Sequence, residues 1–219
     1  MLAIDTSTSM VGAALLGDGS DPVTALAEGP RAQTELLAPL VEQVLARAGV
    51  GASDLTDVAV GTGPGPFTGL RVGMVTAVTM GHALGIPVHG VCSLDVLAEP
   101  AAARTGGDLL VATDARRREV YWARYVASDG HARRTTDPAV GRPADLPADV
   151  RALPTAGRGP VLYPEVLTAG LGVPELLDVD PATLGLLALR RLDEGVEMPV
   201  EPLYLRRPDA LTTAERATR

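Results

Sequence analysis

Carboxylate and hydroxyl side chains follow the first apolar run of the chain. Asp5 ends that run, and Thr6, Ser7 and Thr8 come directly after it. A carboxylate beside hydroxyls and backbone N–H groups in such a turn can hold a metal-bound phosphate. The same residues also form an ordinary polar β-turn with a side-chain cap, and spacing alone favours this second interpretation. Asp5, Thr6 and Ser7 are therefore retained as a candidate vestigial phosphate site.

A loop of glycine and proline precedes an apolar helical pattern in residues 61–73, GTGPGPFTGLRVG. A glycine-rich loop that leads into a helix can bind anions. The dinucleotide-binding fingerprint is excluded because Pro66 stands where its frame requires glycine. A Walker loop and Schiff-base chemistry are excluded because all 19 basic residues are arginine and the chain has no lysine.

The predicted helix after this loop has small residues at every fourth position, which are Gly69, Gly73, Ala77, Gly81 and Gly85. Such a stripe lets another backbone approach closely. The other faces of the helix are apolar, so the helix must be covered on more than one side. The cover can come from the rest of the chain or from another subunit, and the pattern leaves both open.

Histidine and cysteine offer little chemistry in this sequence. His82, His89 and His131 include no pair at i, i+4, so a helical two-histidine metal site is absent. Cys92 lies near His89, but a buried inert cysteine is favoured over a nucleophile pair. No Gly-x-Ser-x-Gly segment occurs, which disfavours a serine hydrolase. The sequence predicts no catalytic residue, no metal and no cofactor.

Clustered arginines occur at Arg116–Arg118 and at Arg206 and Arg207. They could contact an RNA backbone inside a larger complex, but a solvated surface is the favoured interpretation. The net charge of -8 argues against binding of nucleic acid by the chain alone. It leaves a local basic patch possible.

Turn residues and hydrophobic period predict the elements that position these groups. Apolar runs between turns predict a three-strand meander, and a later three- and four-residue period predicts helices. Thr34 is a plausible cap for the first helix and Gly49 a plausible stop. The first half is read as βββαβαβ, with strands at Leu2–Asp5, Met10–Leu16, Val23–Glu28, Asp57–Val60 and Pro87–Val91, and helices from Thr34 and at Thr68–Leu84.

The second half begins again with strands after a connecting helix at Ser93–Ala103. Its first strand ends in Asp114, as the first strand of the chain ends in Asp5, which suggests a duplicated α/β architecture. Residues 137–160 are left unassigned. The remaining elements are predicted as strands at Leu109–Ala112, Glu119–Val126 and His131–Thr136, and helices at Val161–Leu171 and Pro181–Leu192, with a frayed polar tail.

Composition is that of a globular protein without a membrane segment. The 219 residues suffice for one large domain or two small ones, and 46 % are hydrophobic and 21 % charged. No window of about 20 residues is continuously apolar, and the first residues lack the basic region of a signal peptide. We expect a cytoplasmic location.

Four segments, in register over residues 1 to about 207, resemble the TsaB (YeaZ) family. They are Ala3–Thr8, Gly61–Gly73, Asp114–Ala123 and Pro202–Arg206. The resemblance implies an α/β protein of the ASKHA (actin/hexokinase/Hsp70-like) fold, with two similar lobes of mixed sheets and flanking helices. The lobes would comprise residues 1–103 and 104–219.

The resemblance also implies a function. Members of the family are similar to TsaD, which transfers threonylcarbamoyl to N6 of the tRNA adenosine beside the anticodon. TsaD-like proteins have a metal-binding histidine pair that this chain lacks, so the chain is expected to be a non-catalytic subunit. It would support a TsaD-like catalytic subunit together with a TsaE-like ATPase and touch tRNA only indirectly. In the absence of TsaD, the same surface could pair with a second copy of the chain, and the sequence leaves homodimer and monomer open.

Partner binding is expected on the first two helices of the first lobe. The predicted interface residues are Leu36, Leu37, Leu40, Val44, Phe67, Thr68, Arg71, Met74, Val75 and Val78. An alternative function is an ASKHA-type ATPase or phosphotransferase that uses Asp5 and Asp114 with magnesium. A weaker alternative is a peptidase, which the missing histidine pair disfavours.

Overall fold

The computed structural model describes residues 1–17, 19–29 and 33–206. The first half forms a mixed sheet in which strands β1, β2 and β3 are antiparallel, and β4 and β5 continue parallel to β1. Its order is β3-β2-β1-β4-β5. The strands are β1 (Leu2–Asp5), β2 (Met10–Leu15), β3 (Val23–Glu28), β4 (Val58–Gly61) and β5 (Val88–Val91).

The second sheet repeats this plan in shorter form. Strand β6 pairs antiparallel with β7 and parallel with β10, as β1 pairs with β2 and β4. Strands β8 and β9 succeed each other along the other edge of β7. The strands are β6 (Gly107–Asp114), β7 (Val120–Ser128), β8 (His131–Arg134), β9 (Ala139–Gly141) and β10 (Thr155–Ala156). Two related mixed sheets with flanking helices confirm the predicted ASKHA fold.

Four long helices and two single helical turns accompany the sheets in the described residues. The long helices are α1 (Gln33–Ala48), α2 (Phe67–Leu84), α3 (Ser93–Thr105) and α6 (Pro181–Asp193), and the single turns are α4 (Ala148–Arg151) and α5 (Gly159–Leu162). Leu2 and Ile4 face the core under α1 and α2, whereas Ala3, between them, faces the core under α3 and α6. This alternation is the period-2 pattern of a strand buried on both faces.

The two halves exchange helices. Helix α3 belongs to the first half but packs on β6, β7 and β8, and α6 belongs to the second half but packs on β1 and β2. The core between the sheets therefore draws residues from both halves, among them Ala3, Leu97, Tyr125 and Leu187. The division of the chain at residues 103 and 104 stays a prediction.

Most predicted elements are present within a few residues of their predicted bounds. Thr34 lies inside α1 rather than at a cap, and the helix ends as predicted before Gly49, whose φ is 70°. The predicted helix Val161–Leu171 is wrong, because only the turn α5 forms. Pro164 cannot donate the next helical hydrogen bond, and the chain then runs beside β10, where Thr155 donates its N–H to the carbonyl of Ala169 at 2.9 Å.

Residues 196–206, which we call the C-terminal strap, return from α6 to the first sheet. Gly90 donates its N–H to the Met198 carbonyl at 2.9 Å, and Leu203 donates to the Thr62 carbonyl at 2.9 Å. Arg207 of the predicted arginine pair and the predicted frayed tail lie outside the described residues. Among the helices of the described ranges, none is long and apolar enough to cross a bilayer.

Candidate functional site

The carboxylate of Asp5 is sealed inside the first lobe. Asp5 is 1 % exposed, and it accepts hydrogen bonds from the Ser7 N–H at 2.8 Å, the Ser7 hydroxyl and the Ser93 hydroxyl at 3.0 Å. A methyl group on Gly61 would overlap its Oδ2. Burial raises the pKa of Asp5 to about 6, although these hydrogen bonds oppose the shift. Asp5 is therefore held by its own lobe and does not reach the space between the lobes.

Thr6 connects the same turn to helix α2. Its hydroxyl donates to the Gly69 carbonyl at 2.6 Å and accepts the Gly73 N–H at 3.1 Å. In the candidate phosphate site of Asp5, Thr6 and Ser7, the polar side chains are thus used for hydrogen bonds that connect the end of β1 to the start of α2. The β-turn interpretation agrees with this geometry.

Asp114 ends β6 with the same local geometry as Asp5 at the end of β1. It accepts the Arg116 N–H at 2.7 Å, two residues on, and pairs with the Arg116 guanidinium at 3.1 Å. Asp5 accepts the N–H of Ser7 in the same way. The repeated turn supports the duplication that the sequence suggested.

An ion pair closes the cleft between these two turns. Arg158 binds Asp178 through two nitrogens, at 2.6 and 2.9 Å, and Asp178 also accepts the Ser9 N–H at 3.3 Å. Ser9 belongs to the first lobe, and Arg158 and Asp178 to the second. The cavity left beside the pair, lined also by Thr8 and Asp114, measures about 10 Å³.

These residues do not fit a magnesium nucleotide. A site for a small ligand usually has a volume of about 300–1,000 Å³, and Asp5 is shielded from the cleft. Within the described part of the chain, no three His, Cys, Asp or Glu side chains are placed to hold a metal. The geometry gives the alternative of a phosphotransferase based on Asp5 and Asp114 no support.

The small residues of α2 face the chain's own sheet. A methyl group on Gly69 would stand 2.7 Å from the Thr6 carbonyl oxygen, and one on Gly81 would overlap the Val88 side chain. The close backbone approach predicted from the stripe is therefore internal. It brings α2 close to β4, β1 and β5 and leaves the opposite face of the helix exposed.

That opposite face is exposed and mostly apolar. We call it the α2 face, and it consists of Phe67, Thr68, Arg71, Val75 and Val78. Val75 is 62 % exposed, Val78 49 % and Phe67 46 %. These five residues belong to the predicted interface, and the structure places all of them on one accessible surface.

The C-terminal strap completes this surface. Tyr204 packs its ring 5.2 Å from that of Phe67, and its hydroxyl accepts a hydrogen bond from Arg71 Nε at 3.2 Å. The Arg71 guanidinium lies 4.3 Å from the Phe67 ring centre. A groove of about 310 Å³ runs between α2 and the strap, lined by Arg71, Met74, Val75, Val78, Thr79, Val200, Pro202 and Tyr204.

Three predicted interface residues are corrected by the structure. Leu37, Leu40 and Val44 are buried in the core between the first sheet and its helices, whereas Met74, 8 % exposed, also lines the groove beside the α2 face. The three- and four-residue spacing of these apolar residues marked the buried side of each helix. A helix shows the same apolar stripe toward a core as toward an interface, so the spacing alone could not tell the two apart. Leu36 is partly buried against the same core.

The C-terminal strap was not predicted to contribute to this surface. The segment around Tyr204 was noted only for its resemblance, because no periodicity in residues 196–206 places it against α2. Tyr204 itself was the available signal, because aromatic residues are rare in this chain, which has one Phe and four Tyr. Cys92 is buried, as expected, and burial raises the pKa of its thiol to about 12.

The chain is similar to known proteins over most of its length. The family model described as TsaD, tRNA N6-adenosine threonylcarbamoyltransferase, matches residues 27–171. The TsaB protein of Escherichia coli K12, named for tRNA threonylcarbamoyladenosine biosynthesis, is 34 % identical over 94 % of each chain. ML0378 of Mycobacterium leprae, an uncharacterized protein, is 49 % identical over 96 % of this chain, which spans 55 % of the length of that relative.

Solved structures agree in fold over nearly the whole chain. YeaZ from Pseudomonas aeruginosa superposes with a TM-score of 0.75 at 32 % identity and covers 93 % of this chain and 98 % of its own. A second crystal structure, described as similar to the peptidase YeaZ from Pseudomonas aeruginosa, gives a TM-score of 0.76 at 31 % identity.

Proposed function

Because this chain belongs to the TsaB (YeaZ) family, we propose that it is a non-catalytic subunit required for threonylcarbamoyl transfer to N6 of the tRNA adenosine beside the anticodon. It binds and supports a TsaD-like catalytic subunit, and a TsaE-like ATPase joins the complex. The name of the Escherichia coli relative places that relative in the same biosynthesis. The complex works in the cytoplasm, where tRNA is modified.

The exposed α2 face is the observation on which this proposal depends. Soluble monomers rarely leave a continuous apolar patch uncovered, and such patches mark interaction sites. Here the patch lies beside a groove of about 310 Å³, into which side chains of a partner can pack. Phe67, Arg71 and Tyr204 hold one another at its rim, and aromatic residues and arginine dominate the binding energy of many interfaces.

The closed cleft supports the non-catalytic part of the proposal. Arg158 and Asp178 occupy the space between the two turns, and Asp5 has all of its hydrogen bonds inside the lobe. A subunit of this kind contributes surface rather than chemistry. Without its partner, the same α2 face can pair with a second copy around a two-fold axis.

A substitution on the α2 face tests the proposal. Val75→Arg places a charge in the apolar patch, and burying it unpaired in an interface costs about 3 kcal/mol or more. We expect the variant to remain folded and to lose co-purification with the TsaD-like protein of the same organism. Val161→Arg is the matched control, because Val161 is a valine of the second lobe that is 61 % exposed.

The two variants separate the proposed surface from a general effect of added charge. Pairing that survives Val75→Arg contradicts the assignment of the α2 face. Loss of pairing in both variants also contradicts it, because the control lies in the other lobe. Light scattering of each purified variant checks in addition whether the homodimer uses the same face.

A further inference from the structure

Among the described residues, Arg71 is the one charged side chain that lines the groove beside the α2 face. The other lining residues are apolar or neutral, and they are Met74, Val75, Val78, Thr79, Val200, Pro202 and Tyr204. Helix α2 contains no Asp and no Glu, so no carboxylate of the same helix opposes Arg71. The groove that the described residues form therefore combines an apolar lining with one positive charge.

Two contacts orient the Arg71 guanidinium before any partner binds. Its central carbon lies 4.3 Å from the centre of the Phe67 ring, and its Nε donates to the Tyr204 hydroxyl at 3.2 Å. The Phe67 and Tyr204 rings also contact each other, with their centres 5.2 Å apart. A guanidinium on an aromatic ring is stabilised by the cation–π interaction. Because α2 and the C-terminal strap orient this side chain in advance, less conformational entropy is lost when it binds.

The terminal nitrogens of Arg71 are left for an acceptor from outside the described residues. Nε is one of five N–H donors of a guanidinium, and Tyr204 accepts from Nε alone. Within the described ranges, no carboxylate pairs with Arg71. By contrast, Arg158 at the cleft and Arg190 and Arg191 of α6 each bind a carboxylate of the chain, at 2.6 to 2.8 Å.

A partner that covers the α2 face has to satisfy this charge. An arginine that is buried in an apolar interface without an anion is strongly unfavourable, because its charge loses water and gains no opposite charge. A carboxylate meets the need best, since its two oxygens accept from two guanidinium nitrogens in one plane. Apolar side chains alone would leave the guanidinium unpaired.

We propose that Arg71 binds a carboxylate of the TsaD-like catalytic subunit, from an Asp or Glu whose neighbours are apolar side chains that enter the groove. This inference rests on the function proposed above, and it adds the chemistry by which the α2 face selects its partner. The apolar residues of the face accept any apolar helix, whereas the oriented guanidinium disfavours a helix without an acid at this position. Arg71 is thus a specificity-determining residue of the interface.

Removal of the charge at position 71 tests the contact. Arg71→Met keeps an unbranched apolar side chain beside Phe67, and we expect it to fold because Arg71 is exposed in the isolated chain, which urea unfolding checks. Isothermal titration calorimetry with the TsaD-like protein of the same organism should show a dissociation constant raised about 30-fold or more. Arg71→Lys, which keeps the charge without the planar fork, should recover part of the affinity.

Substitutions in the partner identify the carboxylate. Each Asp and Glu on the surface of the TsaD-like protein is replaced by Ala and titrated with the wild-type chain and with Arg71→Met. For one of them, the dissociation constant should rise about as much as it does for Arg71→Met, and it should rise no further when both substitutions are present. Arg133→Met is the matched control, because Arg133 is an exposed arginine of β8 in the second lobe.

The outcomes separate this inference from the proposed function. If the complex forms and Arg71→Met binds as tightly as wild type, the inference is overturned and the function stands. The same holds if every partner substitution adds its full effect to that of Arg71→Met, or if Arg133→Met weakens binding equally, because the overall charge is then responsible. If the wild-type chain does not bind the partner, the proposed function is wrong, and the inference is overturned with it.

Discussion

The groups around the oxygens of a carboxylate at the end of a strand decide whether it can bind a phosphate or only stabilises the turn. Asp5 meets Ser7 and Ser93, and Gly61 leaves just enough room for it. Thr6 bridges to two backbone groups of α2. The sequence predicted both the turn and its polar character, but not which oxygen meets which donor, since Ser93 is 88 residues away.

The pH dependence of stability reports on Asp5 directly. Burial raises its pKa from 3.8 to about 6, so the folded protein binds this proton more tightly than the unfolded chain does. The contribution of Asp5 to the free energy of unfolding therefore falls as the pH rises from about 4 to 6, by about 3 kcal/mol. We expect Asp5→Asn to remove this dependence.

Chemical unfolding of wild type and Asp5→Asn at pH 4 and pH 7 measures the effect. Other titrating groups are common to both proteins and cancel in the difference between their free energies of unfolding. The difference should shift in favour of the variant at the higher pH. A difference that is the same at both pH values, or that shifts in favour of the wild type, contradicts the assigned pKa.

At the scale of elements, periodicity predicted where the long helices lie but not what covers them. Leu37 and Val75 were both predicted as interface residues from apolar helical patterns, yet Leu37 is 2 % exposed and Val75 is 62 % exposed. On α2 the glycine stripe decides which face is covered, because it brings that face against β4, β1 and β5. Leu37 lies on α1 and packs in the core of the first sheet. Leu37→Arg is therefore no test of the interface, since it would place a charge in the core.

The second lobe was less predictable because its elements are short. Strand β10 has two residues and α4 has four, which is too few for a period to be recognised. Residues 164–171 are mostly apolar but run beside β10 without forming a helix. Their position follows from long-range backbone pairing, such as Leu171 N–H to the Thr155 carbonyl at 3.0 Å.

The helices that the lobes exchange are joined by buried ions. Asp95 of α3, 7 % exposed, accepts hydrogen bonds from the Tyr125 hydroxyl at 2.8 Å, Arg134 at 3.0 Å and Arg191 of α6 at 2.8 Å. Glu99, one turn later, binds Arg190 of α6 at 2.6 Å. These contacts join α6 to α3 and, through Asp95, to Tyr125 of β7 and Arg134 of β8.

Removal of Asp95 should destabilise the whole protein. In Asp95→Ala, the Tyr125 hydroxyl and two arginines lose their common acceptor, and breaking such a buried pair costs about 3 kcal/mol or more. Urea unfolding should show this loss, whereas Asp193→Ala, at an exposed carboxylate of α6, should change the free energy of unfolding by less than about 0.5 kcal/mol. Equal effects of the two substitutions would contradict the role given to Asp95.

At the scale of the molecule, two duplicated sheets are fused into one body. Helices α3 and α6 cross between the halves, the C-terminal strap returns to the first sheet, and Arg158 with Asp178 closes the cleft. The duplicated architecture was predictable from two strands that both end in Asp. The closure was not, because Arg158 and Asp178 lie in a stretch without recognisable period.

A closed body with an exposed apolar surface on α2 fits a subunit that holds a partner. The α2 face lies in the first lobe, with Val75 62 % exposed. The central claim is that activity of the complex depends on the α2 face and not on the buried carboxylate of Asp5.

Reconstituted tRNA modification tests this claim most directly. The chain is combined with the TsaD-like and TsaE-like proteins of its organism, ATP, threonylcarbamoyl-adenylate and tRNA, and modified adenosine is quantified. We expect full activity with wild type and with Asp5→Asn, and loss of activity with Val75→Arg because the complex does not assemble. Activity that survives Val75→Arg, or that is abolished by Asp5→Asn in an intact complex, would contradict the account.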